Sequence, residues 1–334
     1  KNNGDGTWTV VNAVAYVEEK ATSTGSTIRK VGYATFEDAY KAATEGKTIT
    51  LLVDHSDVVI TIEKAVKLDT NGCAIGTVVL DNVGATVIAP ADQNVITNIA
   101  DHKVVYENGE YSVVAKVYVA EVNGVKYESL QEAINDASAG DTIKLLTDVT
   151  EDVTISENLT IDGAGKNFTG TMYVDNSKKT NAVVTIKNVN FVNGTYYAVK
   201  TDRINSITVE NCTVMNYAWG FLYANTTTTT VVVKNVTVDG GTINLISGGH
   251  KDTNTVGNYG FHWVYGTTAT LENVTMTNVT YGLYIQNYAG KTINLKNCEI
   301  TSIEIWERSG KSGVQTFKFE GANTVGKFSA SQYA

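Results

Sequence analysis

Residues 184–191 read VTIKNVNF, and the same pattern of apolar, charged and asparagine positions recurs in four later segments. These are ITVENCTV (207–214), VVVKNVTV (231–238), ATLENVTM (269–276) and INLKNCEI (293–300). LTIDG (159–163) and FKFEG (317–321) flank them and carry glycine in place of asparagine. Successive asparagine or glycine positions are 25, 23, 24, 38, 24 and 24 residues apart. A fixed period of this length predicts stacked units that share one core.

Within each segment apolar residues alternate with polar ones, as in a strand with one buried face. A coil of about two dozen residues leaves no room for a covering helix, so we predict a parallel β-helix. The residue before each asparagine or glycine alternates in charge: Asp162, Lys187, Glu210, Lys234, Glu272, Lys296 and Glu320. Stacked about 4.8 Å apart, these residues would form a ladder of opposite charges that specifies the register. We expect the asparagines to lie at bends, where they tolerate left-handed geometry.

Composition excludes several classes of protein. The chain has 334 residues and a net charge of −9, which argues against a nucleic-acid partner. No apolar run approaches the roughly 18 residues that a membrane span needs. Three cysteines cannot all pair, and Cys212 and Cys298 occupy the same inward position as Val236, so we expect buried thiols. We expect a monomer without cofactor or metal.

A longer repeat divides the chain. Residues 33–54 (YATFEDAYKAATEGKTITLLVD) match residues 127–148 (YESLQEAINDASAGDTIKLLTD). Each copy predicts a short amphipathic helix followed by a strand, and the first helix is placed at about 35–45. The sequence therefore predicts two parts. Residues 1–126 form a smaller β-rich repeat module that includes a linker hairpin. Residues 127–334 form the main β-helix, and the second helix caps its N-terminal end.

The longer repeat also has a partial copy at the front of the chain. Residues 3–17 (NGDGTWTVVNAVAYV) match residues 107–122 (ENGEYSVVAKVYVAEV), the hairpin-like stretch before the second helix. We therefore expect the chain to open within a repeat.

The helix, the strand TIKLL and the asparagine-bearing coils resemble the right-handed, pectin-lyase-like β-helix proteins. The tandem units with NG-x-Y-x-V linkers resemble, more narrowly, surface proteins of gut and other anaerobic bacteria. The resemblance covers most of 33–334. It implies a right-handed β-helix and an extracellular, cell-surface location, but that fold hosts lyases, hydrolases, adhesins and scaffolds.

Aromatic residues follow the framing asparagines at a constant distance. Tyr196, Trp219 and Tyr281 come eight residues after an asparagine, and Tyr259 joins them by the match of YGF to YGL. Further rings and amides lie near this predicted ladder: Tyr223, Trp263, Tyr284, Asn225 and Asn287. Rings beside amides and carboxylates suit a carbohydrate site, since sugar faces pack on rings. The alternative is an internal stack that belongs to the core.

The longest coil carries an insertion with the second set of candidates. His250 and Asp252 lie in it and His262 follows it, and long loops on a rigid scaffold commonly carry function. With the adjacent pair Asp202 and Arg203, these residues are the candidates for a polysaccharide lyase or glycoside hydrolase. A solvated loop without function is the alternative. No paired-aspartate, zinc or phosphate motif accompanies them.

These observations favour a non-catalytic surface protein that binds a polysaccharide or a host or cell-surface glycan. Two alternatives remain open from the sequence: an enzyme that uses the insertion, and a structural spacer.

Overall fold

The computed structural model describes residues 12–20, 28–175, 182–225, 230–241, 259–287, 290–307 and 313–332. The protein is mainly β, with large sheets that contain parallel strands, and the described residues form two short helices. The chain divides into two compact units, Lys1–Val117 and Tyr118–Ala334. The boundary predicted after residue 126 falls inside the strand Val125–Tyr127 of the second unit.

The first unit contains one helix, α1 (Phe36–Ala42), and ten described strands. The strands are β1 (Ala15–Lys20), β2 (Ile28–Tyr33), β3 (Thr48–Leu51), β4 (Ile60–Ile62), β5 (Lys67–Asp69), β6 (Val78–Leu80), β7 (Thr86–Ile88), β8 (Val95–Ile96), β9 (His102–Glu107) and β10 (Glu110–Ala115). Its larger sheet has the order β2-β1-β3-β5-β7-β10-β9, and β4, β6 and β8 form a second, parallel sheet. The parallel strands β3, β5 and β7 thus lie between two antiparallel hairpins.

The second unit contains α2 (Leu130–Asp136) and twenty-one described strands in one sheet. The strands are β11 (Ala120–Val122), β12 (Val125–Tyr127), β13 (Thr142–Leu145), β14 (Val149–Thr150), β15 (Val153–Ile155), β16 (Thr160–Asp162), β17 (Asn167–Thr169), β18 (Met172–Asp175), β19 (Val183–Lys187), β20 (Asn190–Val192), β21 (Tyr197–Asp202), β22 (Ser206–Met215), β23 (Gly220–Ala224), β24 (Thr230–Asp239), β25 (Tyr259–Trp263), β26 (Thr268–Thr277), β27 (Tyr281–Asn287), β28 (Lys291–Lys296), β29 (Glu299–Glu307), β30 (Gln315–Glu320) and β31 (Thr324–Gln332). From β13 onward each strand pairs in parallel with a strand one coil away.

Both predicted helices are present, and each starts at a hydroxyl cap. The Thr35 side chain accepts a hydrogen bond from the Asp38 backbone N–H, and Ser129 does the same for Glu132. The first helix ends at Ala42, earlier than the predicted residue 45, because the backbone of Ala43 is already extended. Each helix buries one apolar side, which includes Ala39 in α1 and Leu130 in α2.

The predicted charge ladder is confirmed by the strand register. All seven residues from Asp162 to Glu320 pair directly across neighbouring coils. The Nζ of Lys296 lies 3.2 Å from Oε1 of Glu272 and 3.3 Å from Oε1 of Glu320. The alternation continues backward through Lys144 and Glu121, which the sequence pattern did not include because the framing asparagine is absent there.

The five framing asparagines adopt the predicted left-handed geometry, with φ between 52° and 56°. Their amides bond along the stack, as where Asn273 Nδ2 donates to Asn235 Oδ1 at 2.8 Å. In the flanking coil that carries LTIDG, the left-handed residue is Ala164 instead of Gly163. The bends therefore stack in register through side-chain amides, in addition to the backbone pairing.

The main core runs through the second unit and consists of the inward residues of its strands. Cys212 and Cys298 lie in this core as free thiols, as predicted. Burial raises the pKa of the Cys212 thiol to about 12. The first unit has its own core, built around Ile49, Leu68 and Val87. Neither described helix is long and apolar enough to cross a membrane.

Reversing one charge of the ladder tests its role in register. In the Lys234→Glu variant the new carboxylate would stand between Glu210 and Glu272, so three acidic side chains would follow one another in one row. We expect the free energy of unfolding to fall by about 1 kcal/mol, since like charges directly opposite are destabilising. Urea unfolding at low and high salt measures this loss, which should shrink at high salt. A loss that is independent of salt would contradict an electrostatic ladder.

Candidate functional site

A second cluster of buried side chains lies outside the main core of the second unit. It consists of aromatic residues only, and we call it the aromatic face: Tyr196, Tyr197, Trp219, Tyr223, Tyr259, Tyr281, Tyr284 and Trp306. Three members are buried, namely Tyr197, Tyr259 and Tyr284, and the other five are partly exposed. The aromatic face therefore combines a buried centre with five rings that solvent reaches in part.

Strand alternation places two members of the aromatic face, Tyr223 and Tyr284, on the opposite side of the sheet from the core. Along β23, β25 and β27, the residues Leu222, Phe261 and Leu283 are level with one another and belong to the main core. The next residue of each strand points the other way, because successive side chains alternate across a strand. These outward residues form one row across the coils: Tyr173, Lys200, Tyr223, His262, Tyr284 and Glu304.

The four rings of the predicted ladder form two pairs instead of one continuous stack. Tyr196 and Trp219 have ring centroids 5.4 Å apart, and Tyr259 stacks on Tyr281 at 5.1 Å. Tyr259 is level with Gly220, one residue beyond Trp219. Tyr281 is eight residues after Asn273, whereas Gly220 is nine residues after Asn211. This difference of one residue produces the offset.

Tyr197 joins the two pairs, although the sequence pattern did not place it on the ladder. Its ring lies 6.1 Å from Trp219 and stacks on Tyr223 at 5.1 Å and on Tyr259 at 6.3 Å. Its hydroxyl forms a 2.9 Å hydrogen bond with Nδ1 of His262. The sequence contained one signal for this position. Tyr197 comes nine residues after Asn188, as Gly220 does after Asn211, and the two residues pair across neighbouring coils.

Burial raises the pKa of Tyr197, Tyr259 and Tyr284 above the usual value for a phenol, and the neighbouring tyrosines add to the effect. Desolvation disfavours the charged phenolate, so these side chains stay neutral at neutral pH. The three buried tyrosines of the aromatic face therefore carry neutral hydroxyl groups that can donate and accept hydrogen bonds.

A lysine completes one end of this surface. The Nζ of Lys200 lies 4.9 Å from the ring centre of Tyr173, 5.6 Å from that of Tyr196 and 5.9 Å from that of Tyr223. An ammonium group within about 6 Å of a ring face is attracted to it. Lys200 therefore helps to hold these three rings in place and brings a positive charge to their edge.

Trp263, a predicted ligand-binding residue, belongs to the main core. Its side chain is fully buried and stacks with Phe261 at 5.8 Å. It follows His262, which is on the outer side, so strand alternation turns Trp263 inward. Trp263 was predicted to bind a ligand because it lies near the aromatic ladder in the sequence, and its complete burial contradicts that prediction.

Asp202, Asn225 and Asn287 each come fourteen residues after a framing asparagine, a spacing that predicts one polar row. In the structure the row is broken at its last member. Asp202 pairs with Asp175 of the preceding coil, and the residues before Asn225 keep the same register. By the strand register, the residue of this coil that lies in the row is Gln286. Asn287 is one residue further along the strand and pairs with Glu307. The same one-residue offset that separates Trp219 from the level of Tyr259 therefore moves Asn287 out of the row.

The candidates for catalysis are not brought to one point among the described residues. Arg203 pairs with Asp175 at 3.2 Å, and Asp202 accepts a hydrogen bond from the Tyr173 hydroxyl at 3.4 Å. His262 lies two coils beyond Asp202, about 10 Å away by strand spacing. His250 and Asp252 lie outside the described residues. Across the part of the chain that the structure describes, no group of three acidic, histidine or cysteine side chains could hold a metal ion.

No family model, no curated protein and no solved structure matches this chain.

Proposed function

We propose that this chain is a non-catalytic, extracellular surface protein whose aromatic face binds a glycan. The observation that carries the proposal is the position of the aromatic face. Its eight rings form a cluster that is separate from the main core of the second unit, so that core does not include them. Rings with partly exposed faces beside hydroxyl groups suit a sugar, whose C–H faces pack on rings while its hydroxyls form hydrogen bonds.

We infer that the coils of the second unit form a parallel β-helix. Each strand pairs in parallel with one that follows a coil later, and charges and amides stack at the same spacing. The right-handed sense and the cell-surface location are proposed from the resemblance noted in the sequence. A stack of coils would present the rings in a row along its axis, which fits an elongated ligand better than a single sugar.

Trp219 is the residue whose loss should affect binding most. It is partly exposed, and its ring contacts both Tyr196 and Tyr197. We expect the Trp219→Ala variant to bind a glycan that the wild type retains at least about tenfold more weakly, as for an aromatic anchor at the centre of a site. Affinity electrophoresis in gels that contain the glycan measures the retention.

Tyr106→Ala is the matched control, because Tyr106 is an exposed aromatic residue of the first unit, where it packs on Tyr111. This variant should keep wild-type retention, and thermal unfolding should show that both variants are folded. Equal retention of the Trp219→Ala variant and the wild type on every glycan that binds would refute the proposed site.

A further inference from the structure

Lys200 is a half-buried cation that lies against the aromatic face. Its Nζ is 4.9, 5.6 and 5.9 Å from the ring centres of Tyr173, Tyr196 and Tyr223. A lysine ammonium has three N–H donors, and ring faces attract its charge without offering it an acceptor oxygen. No residue in the described part of the chain accepts a hydrogen bond from this ammonium or forms an ion pair with it. Lys200 therefore brings a positive charge with open donors to the edge of the rings.

The carboxylates near Lys200 have other partners. Asp175 pairs with Arg203, whose Nη2 lies 3.2 Å from Oδ2 of the aspartate. Asp202 lies two residues after Lys200 on β21 and accepts a hydrogen bond from the Tyr173 hydroxyl at 3.4 Å. The Lys200 ammonium, by contrast, lies over ring faces, so its charge stays available to a ligand.

Charge is distributed unevenly along the outward row that contains Lys200. Over the next three coils the row continues through residues that are neither lysine nor arginine: Tyr223, His262 and Tyr284. The fourth coil places Glu304 in the row, about 19 Å from Lys200 at about 4.8 Å for each strand spacing. Oε1 of Glu304 lies 3.5 Å from Nζ of Lys327. The row thus has one open cation at its first end and an acid–base pair at its last.

This distribution fits a ligand with one acidic group better than a polymer with an acidic group on every sugar. A single acidic group at Lys200 gains charge-assisted hydrogen bonds. Further acidic groups at the levels of Tyr223 and Tyr284 would lose water against the rings without meeting a cation. Glu304 would repel an acidic group at the far end of the row.

We propose that the ligand of the aromatic face is a glycan with one acidic substituent, a carboxylate or a sulfate ester, on the sugar bound next to Lys200. Neutral sugars follow it along the row towards Tyr284. Lys200 donates hydrogen bonds to the acidic oxygens and sets the specificity, while Tyr196 and Tyr223 pack on the sugar. This inference rests on the proposed glycan binding and adds the charge of the glycan and the position of that charge.

Sets of matched glycans test this preference for charge. The members of a set share one neutral backbone and differ only at C6 of the terminal sugar, which carries a hydroxymethyl group, a carboxylate or a sulfate ester. We expect the intact wild type to bind an acidic member about fivefold more tightly than the neutral one, as for one partly exposed ion pair. The preference should shrink as the salt concentration rises from about 50 mM to about 0.5 M. The carboxylate and sulfate members distinguish the two acidic groups.

A fourth member carries a carboxylate on every sugar and tests the position of the charge. It should bind no more tightly than the member with one terminal carboxylate. Tighter binding of the fully carboxylated member would overturn the assignment of a single acidic group.

The Lys200→Met variant removes the charge and keeps an apolar side chain to pack on the rings. It should bind the acidic and neutral members equally, whereas Lys200→Arg keeps the charge and should retain the preference. Lys234→Met is the matched control, because Lys234 belongs to the charge ladder, where its Nζ lies 3.7 Å from Oε2 of Glu272. This variant loses the same charge and should keep the preference of the wild type.

The results distinguish this inference from the glycan binding on which it rests. Equal or weaker binding of the acidic members by the wild type would overturn the inference, while weakened binding by Trp219→Ala would still support a glycan site. An unchanged preference in Lys200→Met, or an equal loss of the acidic and neutral members, would give the lysine a structural role only and would also overturn it. Retention of no glycan at all would contradict the proposed function, and this inference with it.

Discussion

Replacing Gly220 with alanine is expected to lower the free energy of unfolding by about 4 kcal/mol, the sum of a backbone and an overpacking cost. Gly220 has φ of 132°, a region that residues with a side chain rarely adopt. An added Cβ would overlap the carbonyl oxygen of Tyr259 and lie 2.7 Å from its carbonyl carbon. Both atoms are backbone of the next coil, so neither can move away without breaking the pairing of β23 with β25.

Gly124→Ala is the matched control for this variant. Gly124 also has a positive φ, of 83°, but an added Cβ would meet no atom within 4 Å. Its replacement should cost only about 1–2 kcal/mol, which is the cost of the left-handed conformation alone. Urea unfolding followed by circular dichroism compares the two variants. Equal losses would contradict the tight spacing of the coils at Gly220, which is also the level at which Tyr197 and Tyr259 meet.

The wild type is expected to gain about 2 kcal/mol of stability relative to a Lys291→Met variant as the pH rises from about 7 to about 9.5. Lys291 is only 2% exposed, and its ammonium donates to the carbonyl oxygens of Val264 and Gly266 at 3.1 Å each. It also lies 4.5 Å from the ring centre of Trp263. Burial lowers the pKa of Lys291 from 10.5 to about 8.

The sign of this effect follows from the two pKa values. Below about pH 8 the lysine is charged in both the folded and the unfolded state, so folding bears the full cost of burying the charge. Between about pH 8 and 10.5 the folded protein holds a neutral amine while the unfolded chain still binds a proton, and stability rises with pH. Above 10.5 both states are neutral and the cost is gone.

Urea unfolding at several pH values measures the difference between the wild type and the Lys291→Met variant. Lys296→Met serves as the control, because Lys296 is an exposed ladder residue whose pKa its partners Glu272 and Glu320 raise. Its stability difference from the wild type should not grow with pH in the same direction. Parallel pH profiles for the wild type and the Lys291→Met variant would contradict a charged lysine in this core.

Local periodicity was sufficient to predict the strands that contain the framing asparagines, the register of those strands and the charge ladder. The alternation around Asn188 and its counterparts is set by which residues face the core, and each coil repeats the same choice. The pairing of Tyr259 with Tyr281 was also correct, because the two coils share the local sequence Tyr-Gly. These features depend only on neighbours along the chain and on one repeat length.

The details of the aromatic face could not be predicted in the same way. Tyr281 comes eight residues after its framing asparagine but pairs in register with Gly220, which comes nine residues after its own. An alignment of Trp219-Gly220 with Tyr281-Gly282 by sequence does not reveal this one-residue shift. The opposite orientations of His262 and Trp263 depend on where the strand begins, which the insertion before Tyr259 obscures in the sequence. Lys291 would be expected at the surface from its residue type, and only the packing around Trp263 places it in the core.

The most direct test of the proposed function is a glycan-array screen of the intact protein, followed by assays for new reducing ends and unsaturated products on every glycan that binds. We expect retention of at least one glycan, weakened by Trp219→Ala, and no new chain ends. New chain ends would identify an enzyme and contradict the non-catalytic proposal, and absence of binding to any glycan would contradict the assignment of the aromatic face as a glycan site.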